Sequence, residues 1–284
     1  MCLAVTPPAA QAQAWLPAKG SSSYTFDYTS VLNKKHYTPT GGEVDVGHTS
    51  SETLSIGVSY SPSDRVQISA SLPYANTRYI GPGGGGHNTP QDHGNWHGTV
   101  TDLQLSVHYQ LADGPLAFAP YIGFVIPTNN YESFGHSAPG RRLDEYWVGF
   151  YTAASLNDWI PRTYVQLRGN YAFVEKVQDI AHDRSNASLE IGHFLNDAWS
   201  LRALVTRVWT HGGIDVPVPV TSPLFPDHDR LAAEKMLSVG AGVSWSPTER
   251  MNVYGLYMQA IEGENAHKVD HRVSVGMSYG LGSP

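Results

Sequence analysis

Histidines and carboxylates set close together are the first residues of this sequence able to do chemistry. His87, Asp92, His93 and His97 fall inside Gly81–His97 and offer the imidazole and carboxylate ligands that transition metals accept. The glycine run ahead of them holds no fixed geometry, no helix sets the His93–His97 spacing and no cysteine helps, so the segment reads as a mobile loop without a metal. It is not a phosphate cradle either, since no strand-to-helix unit surrounds the glycines. His48-Thr49-Ser50 has the base and nucleophile of a hydrolase, yet with 13 His and abundant Ser such a pair is expected about once by chance. A more extended set recurs on one side of alternating segments: Arg65, Asp102, Gln104, His108, Glu145, Gln166, Arg168, Asn170, Glu190, Arg202 and Arg272.

What positions this set is an alternation of period two, the mark of strands with two unlike faces. Leu54, Ile56, Val58 and Tyr60 oppose Thr53, Ser55, Gly57 and Ser59, and Val66, Ile68, Ala70, Leu72 and Tyr74 oppose Arg65, Gln67, Ser69 and Ser71. Leu103 to Leu111, Leu237 to Trp245 and Val273 to Tyr279 repeat the pattern. Twelve strands are predicted near 22–33, 51–61, 65–79, 100–112, 116–128, 145–157, 162–176, 185–196, 200–211, 236–247, 251–265 and 267–281. Short turn signals (Ser61-Pro-Ser-Asp, Ala112-Asp-Gly-Pro, Leu156-Asn-Asp-Trp, Leu195-Asn-Asp-Ala, Ser246-Pro-Thr-Glu) alternate with longer Gly-, Pro-, His- and Asn-rich joins. Two irregularities are expected. Arg207 falls on the apolar face unless a bulge shifts register, and Pro120 and Pro127 remove ladder donors, which predicts bulges there.

Short turns at one end and long loops at the other are the plan of an outer-membrane barrel. The expected fold is all-β, a twelve-stranded antiparallel transmembrane β-barrel in the outer membrane of a Gram-negative cell. Mean hydropathy is -0.28, and no apolar run approaches the ~18 residues of a membrane helix. A bilayer-spanning chain of this kind must therefore close into a barrel, which satisfies every backbone group. Charged residues make up only 15% of the chain. Tyr60, Tyr109, Trp159, Trp199 and Trp245 stand beside the short turns at one predicted level, as an interfacial aromatic girdle requires. A net charge of -7 argues against a nucleic-acid partner. The expected partners are outer-membrane lipid, the barrel assembly machinery and a small-molecule solute.

Residues 1–14 read as the remnant of an export signal, with Ala-x-Ala patterns ending at Ala12 or Ala14 and a start lying further upstream; 15–284 form the barrel. Cys2, the sole cysteine, leaves with that signal, so no disulfide or thiolate site is expected. No cofactor is implied. The inward set carries both signs of charge, which fits either a salt-bridge network bracing a narrow barrel or a constriction orienting a small solute. The long segment Gly212–Lys235 is unusually apolar. Val216, Val218, Val220, Leu224 and Phe225 are predicted to fold onto the barrel mouth as a lid, and packing among loops is the alternative. The chain reads as a passive channel and not as an enzyme; the other readings are a purely structural barrel and an outer-membrane phospholipase-like acyl hydrolase built on His48 and Ser50.

Val100 to Val177 resembles the MetA-pathway of phenol degradation family of outer-membrane transporters. The resemblance rests on Thr101-Asp-Leu-Gln-Leu-Ser-Val-His-Tyr-Gln-Leu111, on Ala119-Pro-Tyr-Ile-Gly-Phe-Val-Ile-Pro-Thr128, on Leu143-Asp-Glu-Tyr-Trp-Val-Gly149 and on Tyr164 to Val174. Thr101 and Asn129 stand where the family usually has Gly, and the chain runs past Tyr279 where outer-membrane barrels usually end on an aromatic residue. What the resemblance implies is uptake of aromatic or other hydrophobic compounds; it supplies no binding residues.

Overall fold

A segment such as Ser51–Tyr60, apolar at every second position, can bury both faces only if one meets lipid or a core and the other meets polar surroundings. The computed structural model, which describes residues 14–82, 91–219 and 221–281, resolves that choice. Its strands are β1 (Ser22–Tyr37), β2 (His48–Ser63), β3 (Val66–Ile80), β4 (Asp102–Tyr109), β5 (Leu116–Pro127) and β6 (Glu145–Ser155). They continue as β7 (Thr163–Val174), β8 (His182–Phe194), β9 (Trp199–Gly212), β10 (Lys235–Thr248), β11 (Met251–Glu264) and β12 (Ala266–Leu281). Each pairs antiparallel with the next, and β12 pairs back onto β1 from Ser22↔Leu281 to Tyr37↔Ala266. The sheet is a closed barrel of twelve strands with no free edge, the outer-membrane type of fold.

The apolar side faces out. Leu54, Ile56 and Val58 are 51%, 52% and 44% exposed, whereas Thr53 and Ser55 on the other face are 7% and 3% exposed. A soluble barrel would show the reverse. Tyr60, Tyr109, Trp199 and Trp245 also lie exposed beside the short turns, and Trp199 stacks on Trp245 with ring centroids 5.8 Å apart. Among the described residues no helix is long and apolar enough to cross a membrane.

Of the two predicted irregularities, the first takes its unbulged form. No register shift interrupts β9 against either neighbour, so Arg207 does share the outward face of Leu201, Ala203 and Val205. It is tolerated because it lies toward the loop end, 3.4 Å from Glu262 and over the Trp209 ring. At Pro120 the expected bulge is present: β5 pairs with β4 as far as His108↔Tyr121 and then with Ala112–Asp113 from Ala112↔Phe118, a slip of one residue across Pro120. No shift accompanies Pro127, which closes its strand and so removes no donor from the middle of a ladder. Further shifts occur near Asn33, between Tyr60 and Ser63, between Leu237 and Ser238, and between Trp245 and Thr248. The loop end is also less uniform than its sequence suggests: β7–β8 and β11–β12 are joined closely, the latter through Asn265 at positive φ.

Candidate functional site

Inward positions on neighbouring strands build two unlike walls. On β5, β6 and β7 they hold Ala117, Tyr121, Val125, Trp147, Tyr151, Ala153, Tyr164, Ala172 and Val174, all buried in one cluster. Such large rings fit side by side because glycines on adjacent strands leave them room. A Cβ added at Gly149 would stand 2.6 Å from the Tyr121 ring, and one at Gly192 would collide with Tyr164. On β1, β2 and β3 the inward positions hold Ser23, Thr25, Asp27, Thr29, Thr53, Ser55, Ser59, Ser69 and Ser71. Between the walls lies a cavity of about 340 Å³, lined by Ser59, Ser69, Gln104 and His108 on one side and by Tyr121, Trp147, Tyr151 and Arg168 on the other.

Most of the polar set read from the sequence lies on these walls, in three groups. Around the cavity, His108 stacks on Tyr121 at 4.9 Å, and the Arg168 guanidinium lies over Tyr151 at 5.2 Å and donates to the Tyr121 hydroxyl at 3.3 Å. Toward the loop end, Glu145 pairs with Arg184 and accepts from Trp147 Nε1 at 2.9 Å, while Asp102 accepts from Tyr131 at 2.6 Å. Further round, Glu190 accepts from Tyr164 at 2.7 Å and lies 3.8 Å from Arg202, whose guanidinium covers Tyr254. Asn170 and Arg272 are half-buried on β7 and β12. Arg65 is the exception. The strand begins only at Val66, so Arg65 sits exposed in the preceding turn, with its carbonyl accepting from Gln110 N.

Both openings are occupied by chain. At the short-turn end Ala14 is fully buried, donating to Gln166 Oε1 at 3.2 Å and accepting from Gln110 Nε2 at 2.7 Å, and Trp15 borders the cavity. Trp15 also borders a second cavity of about 450 Å³ that opens beside Arg162, Tyr164 and Phe194. At the loop end the segment between β9 and β10 crosses the mouth. Its one-turn helix, α1 (His228–Leu231), carries Asp229 to His267 at the head of β12 and to His136 in the β5–β6 loop, positions half a barrel apart. Leu231 is fully buried, and it joins the cluster formed by the aromatic wall, with Ile214 and Leu224 packed against it.

The predicted lid residues are placed differently from one another. Val216 is buried and its N–H donates to Asn265 Oδ1 at 3.0 Å, Val218 is half-buried, and Phe225 stacks on His228 at 5.0 Å. Val220 lies outside the described residues, as do His87 and the first thirteen residues of the signal-like stretch. Beneath the lid Arg141 and Glu234 lie 3.8 Å apart. Burial, with Arg184 nearby, lowers the Arg141 guanidinium to about 10, and burial raises the Glu234 carboxyl despite both arginines. In the histidine-rich stretch, Asp92 accepts from the N–H groups of His136 and Ser137, each at 3.0 Å, and His97 Nε2 lies 2.9 Å from the Ser137 carbonyl. These side chains hold a loop in place. His48 and Ser50 share the outward face of β2, and the Thr49 hydroxyl between them donates to the His136 carbonyl.

Sequence reasoning missed Tyr121, Trp147 and Tyr151 as interior groups, although parity with Glu145 was a signal for two of them. It also missed Leu231, and a grouping of His36, His136, His228, His267 and Asp229, whose members are scattered along the chain and have no local spacing to betray them.

No protein-family model matches the chain, and no curated protein matches it in sequence. Solved structures match in shape. An outer-membrane channel from Pseudomonas putida F1 superposes with a TM-score of 0.77 at 14% identity, over 96% of this chain and 100% of that one. The NanC porin gives 0.52 at 10% identity over 90% and 100%. The translocator domain of the autotransporter NalP from Neisseria meningitidis gives 0.50 at 13% identity over 93% and 89%. At such identities the likeness is one of fold.

Proposed function

We propose that this chain is an outer-membrane channel that passively admits small solutes, apolar or aromatic ones above all. The observation that carries the reading is the continuity of the apolar lining. Leu224 and Leu231 of the lid pack into the same cluster as Trp147, Tyr151 and Tyr121, so a rigid apolar surface runs from the mouth to the central cavity. An aromatic solute would exchange lid contacts for wall contacts along that surface, while Gln104 and the facing hydroxyls keep the opposite side polar. Support for the setting comes from the lipid-facing exterior and from the shape shared with the Pseudomonas putida outer-membrane channel. The family resemblance of Val100–Val177 points to the same class of solute. In this reading, outer-membrane lipid and the barrel assembly machinery are the partners. The polar set described above serves two ends: Glu145, Arg184, Glu190 and Arg202 brace the wall, and His108 and Arg168 face the passing solute.

Deleting 216–226 tests it. In planar bilayers the deletion is expected to raise ionic conductance, and in vesicle-swelling assays to weaken the preference for phenol-sized apolar solutes over polar ones of equal size. Unchanged conductance together with unchanged solute preference would leave the segment as surface packing. A wild-type barrel that passes no solute at all would return the chain to a structural role.

A further inference from the structure

We propose that His36, His136, His228, His267 and Asp229 form a binding site for one divalent transition-metal ion, which fastens the lid to the barrel rim. The five side chains come from four separate pieces of chain: the end of β1, the β5–β6 loop, helix α1 and the head of β12. They meet as two triads that share Asp229, His36–Asp229–His267 and His136–His228–Asp229, and within each triad the ligand atoms lie within 4.8 Å of one another. His267 Nε2 is 3.1 Å from Asp229 Oδ1, and His136 Nδ1 is 3.1 Å from Oδ2. The remaining rings are close behind, His36 at 4.8 Å from His267 and His228 at 5.0 Å from His136.

His228 points to a metal in particular. Its Nδ1 faces the Phe225 carbonyl, an acceptor, which calls for the proton on that nitrogen. Nε2 is then left with a lone pair, and it is aimed at the carboxylate of Asp229, a second acceptor, 3.4 Å away. Two acceptors facing each other in a buried site need a cation between them, either a second proton on the ring or a metal ion. Ligands held at ~2.1 Å in tetrahedral zinc geometry stand about 3.4 Å apart, so the gap fits an ion bound to both atoms. A backbone carbonyl on the far nitrogen is also the usual outer support of a metal-binding histidine. Asp229 is the one carboxylate of the set, buried and within reach of His136, His228 and His267. The site is pre-organised as well: Asp92 fixes the His136 backbone at 3.0 Å, and the His136 ring stacks on Tyr79 at 4.7 Å.

The ligand chemistry selects the class of ion. Imidazoles with a single carboxylate suit zinc, cobalt, nickel or copper; calcium and magnesium need more oxygen ligands than Asp229 supplies. Because Asp229 and His228 belong to the lid, whereas His36 and His267 flank the seam that closes the barrel, a bound ion ties the lid across the mouth.

The test uses the full-length folded barrel in detergent, stripped with a chelator and then offered Zn²⁺ or Co²⁺. Expected results are one ion retained per chain through gel filtration, a Co²⁺ absorption band of four- or five-coordinate type, and slower proteolysis of 213–234 with Zn²⁺ bound. His228→Gln and, separately, the half-buried His136→Gln should each weaken Zn²⁺ binding by at least about tenfold, the scale of loss seen when a metal site is disturbed. His93→Gln with His97→Gln should not. Heat-modified migration on gels confirms that each variant is a folded barrel. Failure of the wild-type protein to retain an ion overturns the proposal whatever the variants do. So does undiminished binding in both cluster variants, or equal retention of Ca²⁺.

Discussion

Across β5 to β7 the inward positions hold Tyr121, Trp147, Tyr151 and Tyr164; across β1 to β3 they hold Thr25, Ser55, Ser59 and Ser69. Both stretches alternate with the same period, and both turn apolar residues toward lipid on their outer side. The difference is volume. Rings seated over glycines make the first wall a packed core within the barrel, whereas hydroxyl side chains fill little space, and the cavity of about 340 Å³ lies against them. A barrel of this size therefore needs no separate plug domain to be narrow. One half of its inner face supplies the packing, and the other half supplies the space.

The largest effect that would break this comparison is removal of a ring from the packed wall. Trp147→Ala should cost about 3–5 kcal/mol, as truncation of a buried aromatic does, and should raise single-channel conductance. Ser69→Ala on the opposite wall should stay within about 0.5 kcal/mol. Denaturant midpoints measured in the same micelles decide the matter. If the two variants lose stability equally, the walls do not differ in packing.

A somewhat smaller effect tests the shared outer face. Ile56→Arg places a charge toward lipid and should cost about 2–4 kcal/mol near the midplane. Ser69→Arg points into the cavity, so it should fold far better and act on conductance instead. Refolding into vesicles measures the first and bilayer recording the second. Equal losses from both substitutions would reject the assignment of faces on which the comparison stands.

The smallest effect sharpens the account of how the rings are seated. Gly149→Ala pushes a methyl to 2.6 Å from both the Tyr121 ring and the Gly169 carbonyl oxygen and should cost about 1–3 kcal/mol, the range for overpacking. Gly255 has nothing within 4 Å of an added Cβ, so Gly255→Ala should be neutral to within about 0.5 kcal/mol. A neutral Gly149→Ala would show that the Tyr121 ring and the neighbouring strand at Gly169 both have room to move, and the wall would then be looser than a core.

The sequence by itself determined the strands, their faces and the closed barrel. Period-two alternation is a local property, and Ser51–Tyr60 or Arg65–Tyr74 states it within ten residues. It also indicated which end carries the short turns, because Asn-Asp and Pro-Thr turn chemistry is local too. Parity alone assigned Asp102, Glu145 and Arg202 to the inside, but it failed for Arg65, where the strand begins one residue later. It placed a bulge rightly at Pro120 but wrongly at Pro127, because whether a lost donor matters depends on where the strand stops.

What only the tertiary structure decided is which distant residues meet. Glu145 finds Arg184 and Glu190 finds Arg202 through strand register, and Tyr121 has its place because Gly149 on the next strand lacks a side chain. Leu231 reaches the aromatic wall, and Asp229 reaches His136 and His267, by way of a loop that crosses half the barrel. Periodicity carries information only as far as one strand extends. Closing the sheet brings residue 36 beside residue 267, and a covering loop brings 136 to 229; those encounters follow from the geometry of closure, which no local pattern encodes.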